Sequence, residues 1–294
     1  MIKTVIYGFG NIGRFVYDAL SEGKDFEISG IVSKSYPDTS YKGIPVVKSI
    51  DDIKNIQVAV LCSGSMDVPD IAAALLEKGI YTVDSFDIHG DIVDVRKRLA
   101  PIAEKNGVSA IMAAGWDPGS DSVVRALFEA MTPKGLTYTN FGPGMSMGHT
   151  VAAKTIKGVK NALSMTIPLG TSVHRRNVYI ELEDGADFMT VSQSIKNHHY
   201  FSHDETHIMQ VESVDDVKDM GHGVDLTRKG VSGTTQNQNL RFTMSINNPA
   251  LTAQILVSCA RAVIKQAPGC YTLIEIPPID LLYGDKDDLI RRLV

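Results

Sequence analysis

Thr4-Val5-Ile6-Tyr7-Gly8-Phe9-Gly10-Asn11-Ile12-Gly13 opens the chain with an apolar run, a GxGxxG turn and the start of a helix-period segment. A strand before the glycines and a helix after them give this motif its meaning. Gly8 permits the tight turn, Gly10 leaves room for a pyrophosphate to approach the backbone, and Gly13 lets helix and strand pack closely. Asn11 and Ile12 lie at the helix N-terminus, where free amides face phosphates. The alternative is a glycine-rich turn that holds no ligand.

Beyond this stretch, short apolar runs alternate with helix-period segments up to about residue 115. Strands are expected at Thr4–Tyr7, Ile28–Val32, Val58–Cys62, Tyr81–Val83 and Val108–Ala113, with helices at Ile12–Leu20, Pro69–Lys78 and Ile92–Lys105. Such alternation builds a parallel sheet covered on both faces. The fold class is therefore α/β, with a doubly wound Rossmann-type dinucleotide-binding domain over residues 1–117. After that the rhythm changes to period two. Leu240, Phe242, Met244 and Ile246 alternate with Arg241, Thr243, Ser245 and Asn247, as in an antiparallel strand with one polar face. Asn177–Leu182, His207–Ser213 and Val224–Gly230 read the same way, so residues 118–248 are expected to form an α+β substrate-binding and dimerisation domain. Asn248-Pro249 caps and starts a helix that runs to about Gln266. Residues 249–294 are expected to return to the first domain.

The 294 residues include 29 Lys+Arg and 34 Asp+Glu, a net charge of −5, with 44% hydrophobic residues. A mildly acidic chain is a poor partner for nucleic acid or an anionic membrane. No apolar run approaches the roughly 18 residues that span a bilayer. The N-terminus reads as a first strand and not as a signal peptide. Cys62, Cys259 and Cys270 are odd in number and lack CxxC spacing, so neither a disulfide framework nor a zinc site is indicated. His198, His199, His203 and His207 have no matching carboxylate frame, so no metal is expected. Together these features place the protein in the cytoplasm.

The tip of the second strand selects the nicotinamide cofactor. An acidic residue there would accept a ribose 2′-hydroxyl and repel a 2′-phosphate. Ser33-Lys34-Ser35 offers hydroxyls, one cation and no carboxylate, so NADP is favoured over NAD, unless Lys34 is merely a solvated lysine. Further cofactor contacts are expected from Ser63, Gly64 and Ser65, and from Ser85 and Phe86. Cys62 beside them reads as a small buried residue. Three polar clusters follow apolar strands: Ser85-Phe86-Asp87-Ile88-His89, Gly115-Trp116-Asp117-Pro118-Gly119, and Phe141 to His149. Asp117 has a second reading as N-cap of the helix running to Met131, and Asp87 as a turn residue.

Asp84-Ser85-Phe86-Asp87-Ile88-His89, Gly115-Trp116-Asp117-Pro118-Gly119, Phe141-Gly142-Pro143-Gly144-Met145-Ser146-Met147-Gly148-His149 and Asn247-Asn248-Pro249 resemble, in order, the motif set of the meso-diaminopimelate dehydrogenase family. The resemblance extends over essentially the whole chain. It implies NADP-dependent oxidative deamination at the D-centre of meso-2,6-diaminopimelate, and a homo-oligomer, at least a dimer. Carried over to this sequence, it sets Asp87 and Asp117 beside the D-amino group, walled by Trp116 and Phe141. Thr166, Arg176, His222 and Asn248 would hold the distal L-centre, with Met147 on the floor between. Phe141 stands where some members have Trp, Met147 where some have Gln, and Ser33–Ser35 carries one basic residue where others carry two. This looks closer to the branch with broader D-amino-acid tolerance.

These residue types suit the chemistry in their own right. The substrate ammonium must lose a proton before hydride can leave the α-carbon, and a carboxylate bonded to the nitrogen can pass that proton on. Two nearby carboxylates titrate as a pair. A distal carboxylate calls for a planar two-pronged cation, which Arg176 offers. Each distal residue also has a plainer reading: Arg176 as a solvated arginine, Thr166 as a strand residue, Asn248 as the helix cap and His222 as surface on a flexible turn. A broad D-amino-acid dehydrogenase, a dihydrodipicolinate-reductase-like enzyme and a non-catalytic NADP(H) sensor remain as alternatives.

Overall fold

The computed structural model describes residues 1–218 and 221–294. They divide into two units, 1–126 with 249–294, and 127–248. The first unit therefore ends inside the helix Ser120–Met131 and not at residue 117, because Val123 still packs on the first unit's core.

The first unit holds an eight-stranded sheet in the order Gly269–Thr272, Ser109–Met112, Tyr81–Asp84, Val58–Leu61, Ile2–Tyr7, Phe26–Val32, Ile44–Val47 and Ser40–Tyr41. All neighbours are parallel except the last pair. Every residue of Val58–Leu61 and Ser109–Met112 is buried, as expected of central parallel strands covered on both faces. Successive side chains go to opposite layers. Val5, Ala59 and Leu61 join Val68, Leu76, Leu99 and Phe86 on one face. Ile6 and Val60 join Val16, Leu20, Leu256 and Val263 on the other. The helix Asn248–Val263 thus covers one face of this sheet. Three short strands, Ser40–Tyr41, Ile44–Val47 and Gly269–Thr272, extend the sheet beyond the five expected ones. Two to four residues are too few to show a period.

Ile2–Tyr7 lies between Phe26–Val32 and Val58–Leu61, so strand order reverses at its carboxyl end. Ligands of such sheets sit at that switch point. The glycine turn and the loop after Leu61 flank it.

The second unit contains a four-stranded sheet, Glu205–Gln210, Val173–Leu182, Val159–Gly170 and Gly144–Met145, and a three-stranded one, Thr235–Asn247, Gly221–Ser232 and Lys134–Phe141. Pairing is antiparallel throughout except between Val173–Leu182 and Glu205–Gln210. In Thr235–Asn247 the apolar residues Leu240, Phe242, Met244 and Ile246 are half-buried, and the alternate residues are exposed. Val178, Ile180, Val191, Ile195 and Phe201 form the core beneath the larger sheet. Among the described residues, no helix is long and apolar enough to cross a membrane.

Candidate active site

The glycine turn is shaped by contacts that exclude side chains. Gly8 has φ +97°, and a Cβ there would lie 2.8 Å from the Cys62 carbonyl carbon; one at Gly13 would lie 2.2 Å from Gly8 O. At Gly10 a Cβ would meet nothing within 4 Å. Two glycines are therefore demanded by packing, while the third leaves open space at the start of the helix Asn11–Glu22. Among the described residues no side chain caps that helix. An uncapped helix N-terminus under an open glycine fits a dinucleotide pyrophosphate. At the second-strand tip Ser33 is buried, and its hydroxyl accepts Tyr36 N–H at 3.2 Å, whereas Lys34 and Ser35 are exposed. Lys48 Nζ donates to the carbonyls of Lys34 (3.1 Å) and Tyr36 (2.7 Å), and the Arg14 guanidinium lies 5.9 Å from the Tyr36 ring centre. The sequence reading missed Lys48, which lies 14 residues from Lys34.

Asp84 ends its strand at the base of two loops. Its Oδ1 accepts Phe86 N–H at 2.9 Å and Ala113 N–H at 3.1 Å, tying the loop that carries Asp87 to the one that carries Asp117. Among the described residues its buried Oδ2 has no partner, and burial pushes the carboxyl up to about 6. Phe86 has its ring in the core and its amide bonded to Asp84, so the cofactor contact expected of it falls to its carbonyl. Ser85 remains half-buried, as does Ser63, while Gly64 is exposed. Ser65 turns its hydroxyl onto Asp87. Burial pushes the Cys62 thiol up, away from the thiolate form that a nucleophile needs.

The second loop is folded tightly on itself. Gly115 N–H donates to Pro118 O at 2.9 Å, and a Cβ at Gly119 would lie 1.9 Å from Gly115 O. The Asp117–Pro118 bond is cis. The following helix begins at Ser120, so Asp117 does not cap it. Asp117 meets Asp121 and Arg125 instead. Arg125 Nη2 is 2.6 Å from Asp121 Oδ2 and 3.9 Å from Asp117 Oδ1. Burial first, then the Asp121 charge and a smaller push from Asp87, raise Asp117 to about 8. Arg125 opposes this rise. The Asp87 charge is thus felt at Asp117. Trp116 is buried in the same loop.

In the second unit the Phe141–His149 segment gathers the other expected residues. Phe141 N–H donates to His174 Nε2 at 2.8 Å, and Gly142 N–H to Gly223 O at 2.8 Å. Gly144 pairs with Thr166, and a Cβ there would fall 2.5 Å from His222 Cα. Asn248 Nδ2 donates to Met145 O at 3.2 Å. Met147, first in its helix, packs beside Met145, Leu163 and Val214. Thr166 and Arg176 are directly opposed across two strands, and Arg176 Nη1 donates to Thr166 Oγ1. His222 is buried in a strand and not on a flexible turn, with its Nδ1 2.8 Å from Gly223 N and 3.2 Å from Gly223 O. Arg176 is not solvated, for its Nε donates to Asp204 Oδ2 at 2.6 Å. Asp204 and His174 were missed, since strand pairing and loop return bring them in without any sequence pattern, and His149, which ends the Phe141–His149 cluster, was given no role. Among the described residues no group of three or more His, Cys, Asp or Glu is placed to hold a metal.

Residues 115–173 match the diaminopimelic acid dehydrogenase C-terminal domain family. The chain superimposes on the C. glutamicum DAP dehydrogenase solved in complex with DAP, with a TM-score of 0.91 at 28% identity, covering 100% of this chain and 99% of that one. It also matches an engineered D-amino acid dehydrogenase bound to NADP+, with a TM-score of 0.88 at 28% identity and the same coverage. A meso-diaminopimelate D-dehydrogenase of Bacteroides fragilis is 57% identical over 296 residues, covering 100% of this chain and 99% of that protein. Kinship at that level along the whole length means that the chain belongs to the meso-diaminopimelate D-dehydrogenase family.

Proposed function

We propose that this protein carries out NADP-dependent oxidative deamination of the D-centre of meso-2,6-diaminopimelate, giving L-2-amino-6-oxopimelate and ammonia. The acidic pair of the first unit carries the reading. Asp87 is oriented by Ser65, and Asp117 is raised to about 8, close to the pH at which an ammonium must be held and then deprotonated. NADP, when bound, supplies the hydride acceptor. The two carboxyls hold the amino nitrogen, take its proton, and keep the nitrogen in place until water replaces it. Arg176, fixed by Thr166, takes the distal carboxylate, and His222 and Asn248 add donors.

Lys34, Lys48 and Arg14 at the second-strand tip support a 2′-phosphate, and hence NADP. A homodimer is supported by the half-buried apolar stripe Leu240, Phe242, Met244 and Ile246 on an edge strand. Three free thiols support a cytoplasmic location. A broader D-amino-acid range is favoured by one observation: Arg176 already has Asp204 as counter-ion, so an empty distal site leaves no bare charge.

The test is NADPH absorbance with meso-diaminopimelate, D-alanine, D-lysine and L-amino acids. Turnover with the meso compound alone supports the narrow reading, and turnover with simple D-amino acids the broad one. Silence with every substrate overturns catalysis in favour of a sensor.

A further inference from the structure

In the second unit, one cation and one anion stand together among neutral neighbours. Arg176 Nε meets Asp204 Oδ2 at 2.6 Å, and the two side chains are 15% and 27% exposed. Burial and then the Arg176 charge lower His149 to about 3, and the same two causes lower His174. Both imidazoles are therefore neutral near pH 7. Arg175, next in the strand, faces the opposite side and is paired with Glu205 at 3.0 Å. Arg176 uses Nε and Nη1 on the protein. Among the described residues, its Nη2 and the second Asp204 carboxylate oxygen have no hydrogen-bond partner.

We propose that Asp204 is a specificity-determining residue that receives the distal ammonium of the substrate, beside the carboxylate taken by Arg176. The inference rests on the reading of Arg176 as the distal clamp. A lone guanidinium selects an anion; a guanidinium next to a carboxylate is neutral overall and selects an end that is dipolar and neutral overall. An α-amino-acid centre is such an end, with ammonium and carboxylate on one carbon. The side-on contact through Nε leaves one donor and one acceptor for those two groups. A substrate with the distal carboxylate but no distal amine leaves the Asp204 oxygen unmatched.

The test compares meso-diaminopimelate with D-2-aminopimelate, which keeps the distal carboxylate and lacks the distal amine. Asp204→Asn retains an oxygen for Arg176 Nε and removes the charge. Loss of a charged hydrogen bond predicts a fall of about 10- to 100-fold in kcat/KM for the meso compound, mainly through KM, with less than about threefold change for D-2-aminopimelate. Equal falls for both substrates would mean that Asp204 only orients Arg176, and no change would remove it from the subsite; either result overturns the proposal. If the variant does not fold, the parent protein decides. A preference of about tenfold or more for the meso compound is expected, and equal efficiency contradicts it. Arg176→Ala tests the underlying reading separately: an unchanged KM for both substrates removes Arg176 from the clamp, whereas the amine comparison reports on Asp204 alone.

Discussion

Ser65 donates its hydroxyl proton to Asp87 Oδ1 at 2.6 Å while accepting Asp87 N–H at 3.3 Å, so one side chain holds both the carboxylate and the backbone of a proposed catalytic residue. Ser65 follows the strand Val58–Leu61, and Asp87 follows its parallel neighbour Tyr81–Asp84. Removing the hydroxyl frees the carboxylate to rotate. Ser65→Ala is expected to lower kcat about tenfold, the worth of one hydrogen bond to a charged group, with less than about threefold change in NADP affinity by titration calorimetry. Equal losses in both would assign Ser65 to the cofactor instead.

Asp84 and Asp117 predict how stability depends on pH. A carboxyl raised on folding is favoured in its neutral form by the folded chain. Its contribution is therefore intact below the ordinary carboxylate range and is lost as pH rises, through about 6 for Asp84 and about 8 for Asp117. Melting temperature should fall from mildly acid to mildly alkaline solution. Asp117→Asn, neutral throughout, should flatten the upper part and gain on the order of 2 kcal/mol over the parent at alkaline pH, while losing turnover. Parallel stability curves for the two proteins would contradict the raised Asp117. In the parent, kcat/KM should climb as pH passes about 8, when the free carboxyl ionises.

Gly119 has φ +148° with Gly115 O directly behind it, so its loop has no space for a side chain. Gly119→Ala should cost at least about 2 kcal/mol and displace Asp117, whereas Gly90→Ala, where a Cβ meets nothing within 4 Å, should stay within about 0.5 kcal/mol of the parent. Chemical denaturation of the two variants side by side gives the comparison.

Lys48 is bound to two carbonyls of the strand-tip loop next to Lys34. If it serves the 2′-phosphate, Lys48→Met should weaken NADP binding about tenfold and leave NAD binding unchanged, the expected effect of one lost partly screened charge pair. Equal weakening of both cofactors would show that it only shapes the loop.

The sequence was most legible where one short segment settles its own geometry. Val58–Leu61 announces a buried parallel strand by being wholly apolar, and the glycines at 8, 10 and 13 reveal the turn because each has a distinct steric task. Leu240 to Asn247 shows its two faces by simple alternation. Partners created by strand pairing were not legible. The register opposing Thr166 to Arg176 is set by a tight turn at Thr171 and Ser172, two residues that do not advertise a positive φ, and the return that brings Asp204 to the same guanidinium depends on the parallel pairing of Val173–Leu182 with Glu205–Gln210. Asp117 looked like a helix cap because Pro follows it, but the loop closes once more through Gly115 and Gly119 before the helix starts. Ser65 stands among other cofactor-type residues, and nothing in its neighbours tells that its hydroxyl faces Asp87.

The central claim, oxidation at the D-centre, is tested most directly by meso-diaminopimelate deuterated only at that α-carbon. The account predicts that deuterium appears in the reduced nicotinamide, with one ammonia released per NADPH and none of the label left in L-2-amino-6-oxopimelate. Retention of deuterium in the organic product, or its release to water without NADPH, would contradict it.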